Sequence, residues 1–368
     1  MKYWRGFLVA AIFAVISGAL LAFAKAHSAL VDMIYPYVSK SLVSTFADWS
    51  SNVSFCLWSV IVLALVVVLL VSIILMFILR WNSIQWLGWV MAGIMFMSMF
   101  STVLFGLNKH AGPLAEDIGL EITEYTVTEL NEAAIYFRDL ANPLADSVQR
   151  DKKGRPDFGE FEAMATQAGA GFEVLTYQEA MSVFSGSTAP VKSKQLGGGA
   201  LSKTYPLTGE CVVDPSSPDL VLPFIMCSEM ARRMSIYNEE DAKYAAFLAC
   251  KFNQDENFQY SGYCMAFYFC YTALKQDPTS VAQACIGELE AGIGENLKKD
   301  LEICQDVFGR ISVRGEGAND AADLVTCWYI QKFITPLIVE EEKPFDPLDP
   351  NQVDIEYVEP DPTPLPAS

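Results

Sequence analysis

The sequence predicts an α+β fold that is mostly α, with three N-terminal transmembrane helices followed by one external domain that carries a small sheet. The 368 residues have a mean hydropathy of +0.26 and are 52% hydrophobic, and the long uncharged runs fall in the first 108 residues. Beyond them, apolar residues recur mainly at helical spacing, and one short stretch favours a strand. We therefore divide the chain into a membrane region (1–108), a folded domain (109–338) and a tail (339–368).

Three apolar runs are long enough to cross a hydrocarbon core, which needs about 20 residues. They cover approximately residues 7–24, 55–79 and 86–107. The first run is also compatible with the hydrophobic region of a cleaved signal, because it ends in a small-residue pattern, Ala22-Phe23-Ala24. Both interpretations of the first run stay open on this evidence.

The cations that flank these runs predict the orientation of the chain. Lys2 and Arg5 precede the first run, and Arg80 lies in the short link between the second and third. Cytoplasmic loops carry an excess of Lys and Arg, so the N-terminus is expected in the cytoplasm and everything after Lys109 outside it. The segment 25–54 then becomes an external loop with interfacial aromatic residues.

The charge of the chain excludes nucleic acid as a partner. The chain has 44 acidic and 25 basic residues, and of the acidic ones only Asp32 and Asp48 precede residue 110. A strongly acidic external part excludes nucleic acid, whose phosphates require a basic face. The lipid bilayer is the partner that the apolar runs predict.

From Glu340 the chain is acidic and rich in proline, which predicts a disordered tail.

Eight of the nine cysteines lie in the part predicted to be external. An even number in an oxidising compartment suggests disulfides, whereas cysteines on apolar helix faces suggest buried free thiols. The sequence leaves both interpretations open. These residues are Cys211, Cys227, Cys250, Cys264, Cys270, Cys285, Cys304 and Cys327.

The stretch 223–250 predicts two short helices joined by a turn. Its apolar residues recur at helical spacing on both sides of the turn, and Asn238 is placed to cap the second helix. Upstream, 205–213 predicts a short strand, and a flexible glycine-rich and serine-rich loop, 185–202, precedes it.

Zinc metallopeptidases of the zincin type carry H-E-x-x-H on a helix, where two histidines one turn apart bind the metal and the Glu activates water. In this chain residues 228–232 fill that frame as Ser-Glu-Met-Ala-Arg. The surrounding sequence resembles a family of bacterial membrane proteins catalogued as domain of unknown function 3810. The matching pieces are 206–211 (PLTGEC), 228–235, 239–244 (EEDAKY) and 260–263 (YSGY).

The resemblance implies a retained first membrane helix and a zincin-like domain in the bacterial cell membrane, facing outward. It places the two histidine ligands at Ser228 and Arg232, the acidic third ligand at Asp241, and the catalytic base at Glu229. Two of the three ligand positions therefore hold side chains that do not bind zinc, and neither metal nor cofactor is expected. The resemblance also suggests a substrate strand or pocket at Thr208, Gly209, Glu210, Tyr260 and Ser261.

These features predict a membrane-tethered, catalytically inactive homologue of zinc metallopeptidases, with a binding, structural or regulatory role and a peptide or membrane-protein partner. The alternative is an active membrane-bound metallopeptidase with atypical ligands. A hydrolase that uses Ser228 or Cys227 as its nucleophile lacks a base, because His27 and His110 are the only histidines and both are distant in sequence.

The loss of the metal predicts a substitute charge. If zinc once offset the carboxylates of Glu229 and Asp241, its absence leaves them facing each other unless a cation takes its place. Arg232 is expected to reach across to Asp241 through its planar guanidinium. A local alternative has Arg232 in solvent or paired with Glu229 within its own helix.

Overall fold

The structure, a computed structural model, describes residues 2–309 and 320–336. The predicted tail and residues 310–319 and 337–338 of the predicted domain lie outside this described part.

Three helices of 22 residues are long and apolar enough to cross a membrane: α1 (Arg5–Ala26), α3 (Leu57–Ile78) and α4 (Ser83–Leu104). They match the predicted spans and support membrane association. α1 and α4 pack against each other along their length. A Cβ atom on Gly6 would lie only 2.4 Å from the backbone of Gly88, so glycine at residue 6 permits this close approach.

α3 lies apart from this pair. None of its most apolar 18-residue stretch is buried in the structure. Its tie to α4 is at the end where the two helices are joined, where Trp86 Nε1 donates a hydrogen bond to Ser72 Oγ at 3.1 Å. Nearly all sides of α3 are therefore exposed and can contact lipid.

The segment predicted as an external loop is instead a 23-residue helix, α2 (Ser28–Ser50), and that prediction is wrong. Its buried face packs on the domain, where Lys40 Nζ donates to the carbonyls of Ser182 and Val183, each at 3.0 Å. The buried residues of α2 are both apolar and polar, so no apolar stripe marked this segment as a helix; they are Val31, Ser39, Lys40, Val43, Ala47 and Ser50. α2 connects the end of α1 to the start of α3.

The remaining helices form a mostly helical domain. They are α5 (Leu114–Ile118), α6 (Val127–Ser147), α7 (Phe161–Gln167), α8 (Ala170–Tyr177), α9 (Leu222–Arg233), α10 (Glu239–Lys251), α11 (Glu256–Gln276), α12 (Ser280–Ala291), α13 (Glu295–Phe308) and α14 (Ala321–Tyr329). A π-helical turn, Ile330–Ile334, follows α14.

The core of the domain lies between α6, α9, α10, α11 and α14, and it centres on a cluster of aromatic rings. Phe137, Phe247 and Trp328 contact one another with ring centroids 5.4–6.0 Å apart, in stacked and edge-on arrangements that aromatic pairs favour. The predicted helix pair is confirmed as α9 and α10, and Asn238 caps α10 by accepting a hydrogen bond from the Glu240 amide. This core fixes α9 and α10 side by side.

A three-stranded sheet covers one end of α9. Its strands are β1 (Lys192–Ser193), β2 (Ser202–Tyr205) and β3 (Glu210–Val213), in the order β1-β3-β2, with β2 antiparallel to β3. The single strand predicted over 205–213 is wrong, because a turn with Gly209 at φ 68° divides it into a hairpin. β3 is the central strand, and β2 presents an edge that pairs with no other described strand.

The nine cysteines are all free thiols, and eight of them are buried. The sulfur atoms of Cys264 and Cys304, for example, are 3.9 Å apart, beyond a disulfide bond length of about 2.05 Å. This arrangement favours the interpretation as small buried hydrophobes over the disulfide alternative.

Candidate functional site

A cleft of about 940 Å³ opens between β2, α9, the start of α10 and α11. Its wall combines charged side chains with aromatic ones. The charged members are Lys203, Glu229, Arg232, Glu239, Glu240, Lys243 and Asp320, and the aromatic members are Phe105, Phe224, Tyr268, Phe269 and Phe308. Gly198 and Gly199, from the stretch predicted as a loop, also line it.

α9 brings three of the predicted site residues to this cleft. Ser228 and Arg232 are one helical turn apart and therefore share a face, and Glu229 lies beside them on the same wall. Cys227 does not reach the cleft, because it is fully buried and directed to the carbonyl of Ala168, 3.7 Å from its sulfur. The nucleophile considered at Cys227 therefore has no access to a ligand in the cleft.

The carboxylate of Glu229 is buried, with only 5% of the residue exposed. Two hydroxyls of β2 donate to it: Ser202 Oγ to Oε1 at 2.7 Å, and Thr204 Oγ1 to Oε2 at 2.5 Å. Burial raises the pKa of Glu229, and the hydroxyls and the nearby Arg232 offset only part of this effect. The side chain is thus held in place against β2 and has an incompletely compensated charge.

Arg232 lies between two carboxylates of the cleft. Its Nε is 3.9 Å from Glu229 Oε1, and its Nη2 is 3.8 Å from Glu239 Oε2. Both separations exceed hydrogen-bond distance, and 29% of the side chain is exposed. The guanidinium therefore offsets the negative charges of Glu229 and Glu239 but donates a hydrogen bond to neither.

The expected bridge from Arg232 to Asp241 is wrong. Asp241 is only 5% exposed, and its Oδ2 accepts a hydrogen bond from the backbone amide of Leu114 at 3.2 Å. Successive residues of a helix are about 100° apart, so Glu239 faces the cleft while Asp241 points to the opposite side of α10. The local alternative, pairing of Arg232 with Glu229, is present together with the Glu239 contact.

The donor chemistry at the motif does not fit zinc. Zinc ligands are imidazoles, thiolates or carboxylates, whereas the two histidine positions hold a hydroxyl, Ser228, and a permanently charged guanidinium, Arg232. Across residues 2–309 and 320–336, no three His, Cys, Asp or Glu side chains converge in a metal-binding cluster.

Thr208, Gly209 and Glu210 lie outside the cleft, against the helices that lead to the membrane. A Cβ atom on Gly209 would lie 2.2 Å from the backbone nitrogen of Ala47, so the turn touches α2 directly. The Glu210 carboxylate accepts hydrogen bonds from the amides of Leu57 and Trp58, at 2.6 and 2.8 Å. It thereby caps the first turn of α3, where free amides and the helix dipole favour a negative charge.

Lys192 completes this second cluster, and the sequence analysis missed it. Its Nζ is 2.7 Å from Glu210 Oε1, and it also donates to the carbonyls of Ser50 and Phe55 at 2.9 and 3.0 Å. Burial alone would raise the pKa of Glu210, but the hydrogen bonds, led by that from Lys192, lower it. A lysine in a glycine-rich and serine-rich stretch offers no sequence signal for such a role.

Tyr260 and Ser261 are structural and do not line the cleft. Both are fully buried on α11, and Ser261 Oγ donates to the carbonyl of Leu220 at 2.6 Å. The Tyr260 hydroxyl donates to Asp300, whose carboxylate is also held by two hydrogen bonds from Arg150, at 3.0 and 2.7 Å. This network joins α11 to α13 and does not involve α9, the helix that carries residues 228–232.

A family model with the description Protein of unknown function (DUF3810) matches residues 31–321. The match covers most of α2, two of the three membrane-capable helices and the described domain up to the start of α14, including both clusters around Glu210 and Glu229. No curated protein and no solved structure matches the chain.

Proposed function

Because the chain belongs to the family described as Protein of unknown function (DUF3810), whose model covers most of its length, we propose that it is a membrane-tethered, catalytically inactive relative of zinc metallopeptidases that binds extended peptides. The observation that carries this proposal is Arg232 at a histidine position of the motif. Its guanidinium lies between Glu229 and Glu239, at one of the two positions where the motif of a zinc metallopeptidase carries a histidine ligand.

Chemistry argues against hydrolysis at this site. A guanidinium stays protonated at all accessible pH values and repels a divalent cation. Glu229, the counterpart of a catalytic base, accepts hydrogen bonds from Ser202 and Thr204 with both of its oxygens. A general base must reach the proton that it removes, and these two hydroxyls hold the Glu229 carboxylate against β2.

The free edge of β2 supports peptide binding. An extended peptide adds to such an edge through backbone hydrogen bonds, and pockets for alternate side chains then provide selectivity. β2 and the aromatic residues Tyr268 and Phe269 of α11 line the same cleft. A peptide along β2 would thus lie in the cleft that Arg232 also lines.

Restoring the metal site tests the relation to zinc metallopeptidases. In a Ser228→His, Arg232→His variant, two imidazoles one turn apart would join the carboxylate of Glu239, and we expect one equivalent of zinc per chain. The purified full chain in detergent would be assayed by metal content after dialysis. The parent should retain no zinc and should cleave no peptide when zinc is added.

The matched control is the same double-histidine variant with Glu239→Gln, which should bind zinc at least tenfold more weakly. A companion with Asp241→Asn should bind as tightly as the double-histidine variant, because Asp241 points away from the cleft. If the double-histidine variant takes up no zinc although it folds, the proposed relation is wrong. If the parent hydrolyses peptides with added zinc, the proposed inactivity is wrong.

A further inference from the structure

The two faces of the three-stranded sheet meet different parts of the molecule. On one face, the hydroxyls of Ser202 and Thr204 donate to a carboxylate of α9. Successive side chains of a strand point to opposite faces, so Lys203 and Tyr205 lie on the other face. There the ring of Tyr205 stacks on Trp58 in the first turn of α3, with ring centroids 5.6 Å apart. The second face of the sheet is therefore turned toward the start of a membrane-capable helix.

The lysines of the sheet lie on this second face. Lys192 of β1 and Lys203 of β2 both pair with Val212 of β3, and paired residues of neighbouring strands project to the same side of a sheet. Lys194 follows Lys192 by two residues, so its side chain shares that side. The stretch 180–209, which contains these three lysines, has no acidic residue, although the chain has a net charge of -19. The second face is thus a basic surface in an acidic protein.

Glu210 and Asp214 bring two carboxylates close to this surface, and both are already hydrogen-bonded within the chain. Glu210 accepts from Lys192 Nζ at 2.7 Å and caps α3. Asp214 accepts from the amide of Leu196 at 2.7 Å, and from the amide and hydroxyl of Ser216 at 3.0 and 2.6 Å. These contacts compensate the charge of Lys192 and leave the other two lysines without an acidic partner.

The ammonium groups of Lys194 and Lys203 converge on the ring of Tyr205. Their Nζ atoms are 5.9 and 5.5 Å from its centre. Within the part of the chain that the structure describes, neither ammonium makes an ion pair or a hydrogen bond. A cation–π contact uses none of the three donors of an ammonium group, and two like charges near one ring repel each other. An anion that contacts both groups would satisfy their donors and remove the repulsion.

The start of α3 places these two cations at the level of lipid headgroups. Trp58 is the second residue of a helix that is long and apolar enough to cross a membrane, and Trp and Tyr side chains concentrate at membrane interfaces. Because Tyr205 stacks on Trp58, the ammonium groups around the Tyr205 ring lie close to the end of the span. Along α3 beyond Trp58, the most apolar 18-residue stretch is unburied, which leaves its surface open to acyl chains.

We propose that Lys194 and Lys203 bind the phosphate of an anionic phospholipid whose acyl chains lie along α3. Each ammonium donates to a phosphate oxygen, and Trp58 and Tyr205 hold the site at the membrane surface. A lipid fits better than a soluble anion, because its acyl chains can contact the unburied surface of α3 while its phosphate contacts the lysines. Because Lys203 also lines the cleft, the lipid would lie beside the proposed peptide site without depending on it.

Photolabelling in lipid nanodiscs tests this site with the full chain. The probe is a phosphatidylglycerol with a diazirine at the top of one acyl chain, used as a trace component of a phosphatidylcholine bilayer. We expect labelled peptides from 55–60 and 192–205, which hold the aromatic pair and both lysines. The double variant Lys194→Gln, Lys203→Gln should lose this labelling at least tenfold, since each lysine near an anionic lipid contributes about fivefold.

Two control variants and a stability measurement separate the site from general charge and from unfolding. Lys152→Gln with Lys153→Gln, in an exposed turn, removes the same two charges and should leave the labelling unchanged. Lys194→Arg with Lys203→Arg keeps both charges and should be labelled like the parent. Phosphatidylglycerol should raise the thermal midpoint of the parent but not that of the double glutamine variant, and the two midpoints should agree in its absence.

Three outcomes would overturn this proposal. If the double glutamine variant is labelled like the parent, the two lysines do not bind the lipid. If a phosphatidylcholine probe with the same diazirine labels these peptides equally, the site does not recognise negative charge. If inorganic phosphate at constant ionic strength abolishes the labelling, the site takes free phosphate and the lipid is wrong. None of these results decides whether a peptide binds along β2.

Discussion

Glu210 of β3 and Glu229 of α9 are both buried carboxylates near the same sheet, but they differ in how their charge is compensated. Glu210 has an ammonium group, two helix amides and a hydroxyl within hydrogen-bond distance. Glu229 has two hydroxyls and a guanidinium beyond hydrogen-bond distance. The first arrangement lowers the carboxylate pKa, and the second leaves it raised by burial.

This difference separates an anchor from a candidate site. A buried charge whose hydrogen bonds are all satisfied holds elements together, and Glu210 joins the sheet to α2 and α3 in this way. A buried group with a shifted pKa beside an accessible cation is typical of a functional position. The sheet therefore has one end fixed to the membrane helices and the other facing the cleft.

The largest expected effect on stability comes from removing the cation that pairs with Glu210, the carboxylate that anchors the sheet. Lys192→Met removes the cation from Glu210 and leaves a buried carboxylate that only neutral donors satisfy, which costs about 3–5 kcal/mol. The thermal midpoint of the full chain in detergent should fall by many degrees, and protease cleavage in the connection 51–56 between α2 and α3 should increase. The control Lys153→Met, at an exposed turn, should leave the midpoint unchanged. A Lys192→Met protein as stable as the parent would disprove the anchor.

The contributions of Glu229 and Glu210 to folding stability should depend on pH in opposite directions. We expect these effects to be intermediate in size. The raised pKa of Glu229 means that the folded state binds more protons than the unfolded state above about pH 4.5, so this residue costs stability as pH rises. The lowered pKa of Glu210 means that its stabilisation is present above about pH 4.5 and is lost as pH falls below it.

Denaturant unfolding from pH 3.5 to 7 checks these signs. Relative to the parent, Glu229→Gln should gain stability as pH rises from 4.5, and Glu210→Gln should lose stability as pH rises toward 4.5 and remain less stable above it. Parallel curves for the two variants would show that the two carboxylates are compensated alike, and the contrast between anchor and site would then be wrong.

The smallest expected effect on stability comes from replacing Arg232, the cation between Glu229 and Glu239 in the cleft. Arg232→Gln removes a partly exposed side chain whose ion pairs are long, and such pairs contribute about 0–1 kcal/mol. The unfolding midpoint should therefore move little, while the pKa of Glu229 should rise further because a favourable positive charge is lost. The Glu229 carboxyl resonance in an NMR titration measures this change, and Lys153→Gln, at an exposed turn outside the cleft, is the control. A loss of stability as large as that of Lys192→Met would mean that Arg232 is structural.

The sequence by itself determined the elements that depend on local patterns. Uncharged runs of sufficient length gave the three membrane-capable helices, and helical spacing with a capping residue at Asn238 gave α9 and α10. It also placed Ser228, Glu229 and Arg232 on one helix face, since residues one turn apart must share it. These inferences needed only hydropathy and the period of the helix.

The tertiary structure alone decided which side chains meet. That Glu239 and not Asp241 accompanies Arg232 depends on the rotation of α10 against the core, which packing around Phe247 fixes. The pairing of Lys192 with Glu210 joins β1 to β3 and both to the start of α3, a convergence that no local pattern encodes. Contacts between elements distant in the chain arise from how their apolar faces pack together, so only the folded molecule shows which glutamate anchors the sheet and which one faces the cleft.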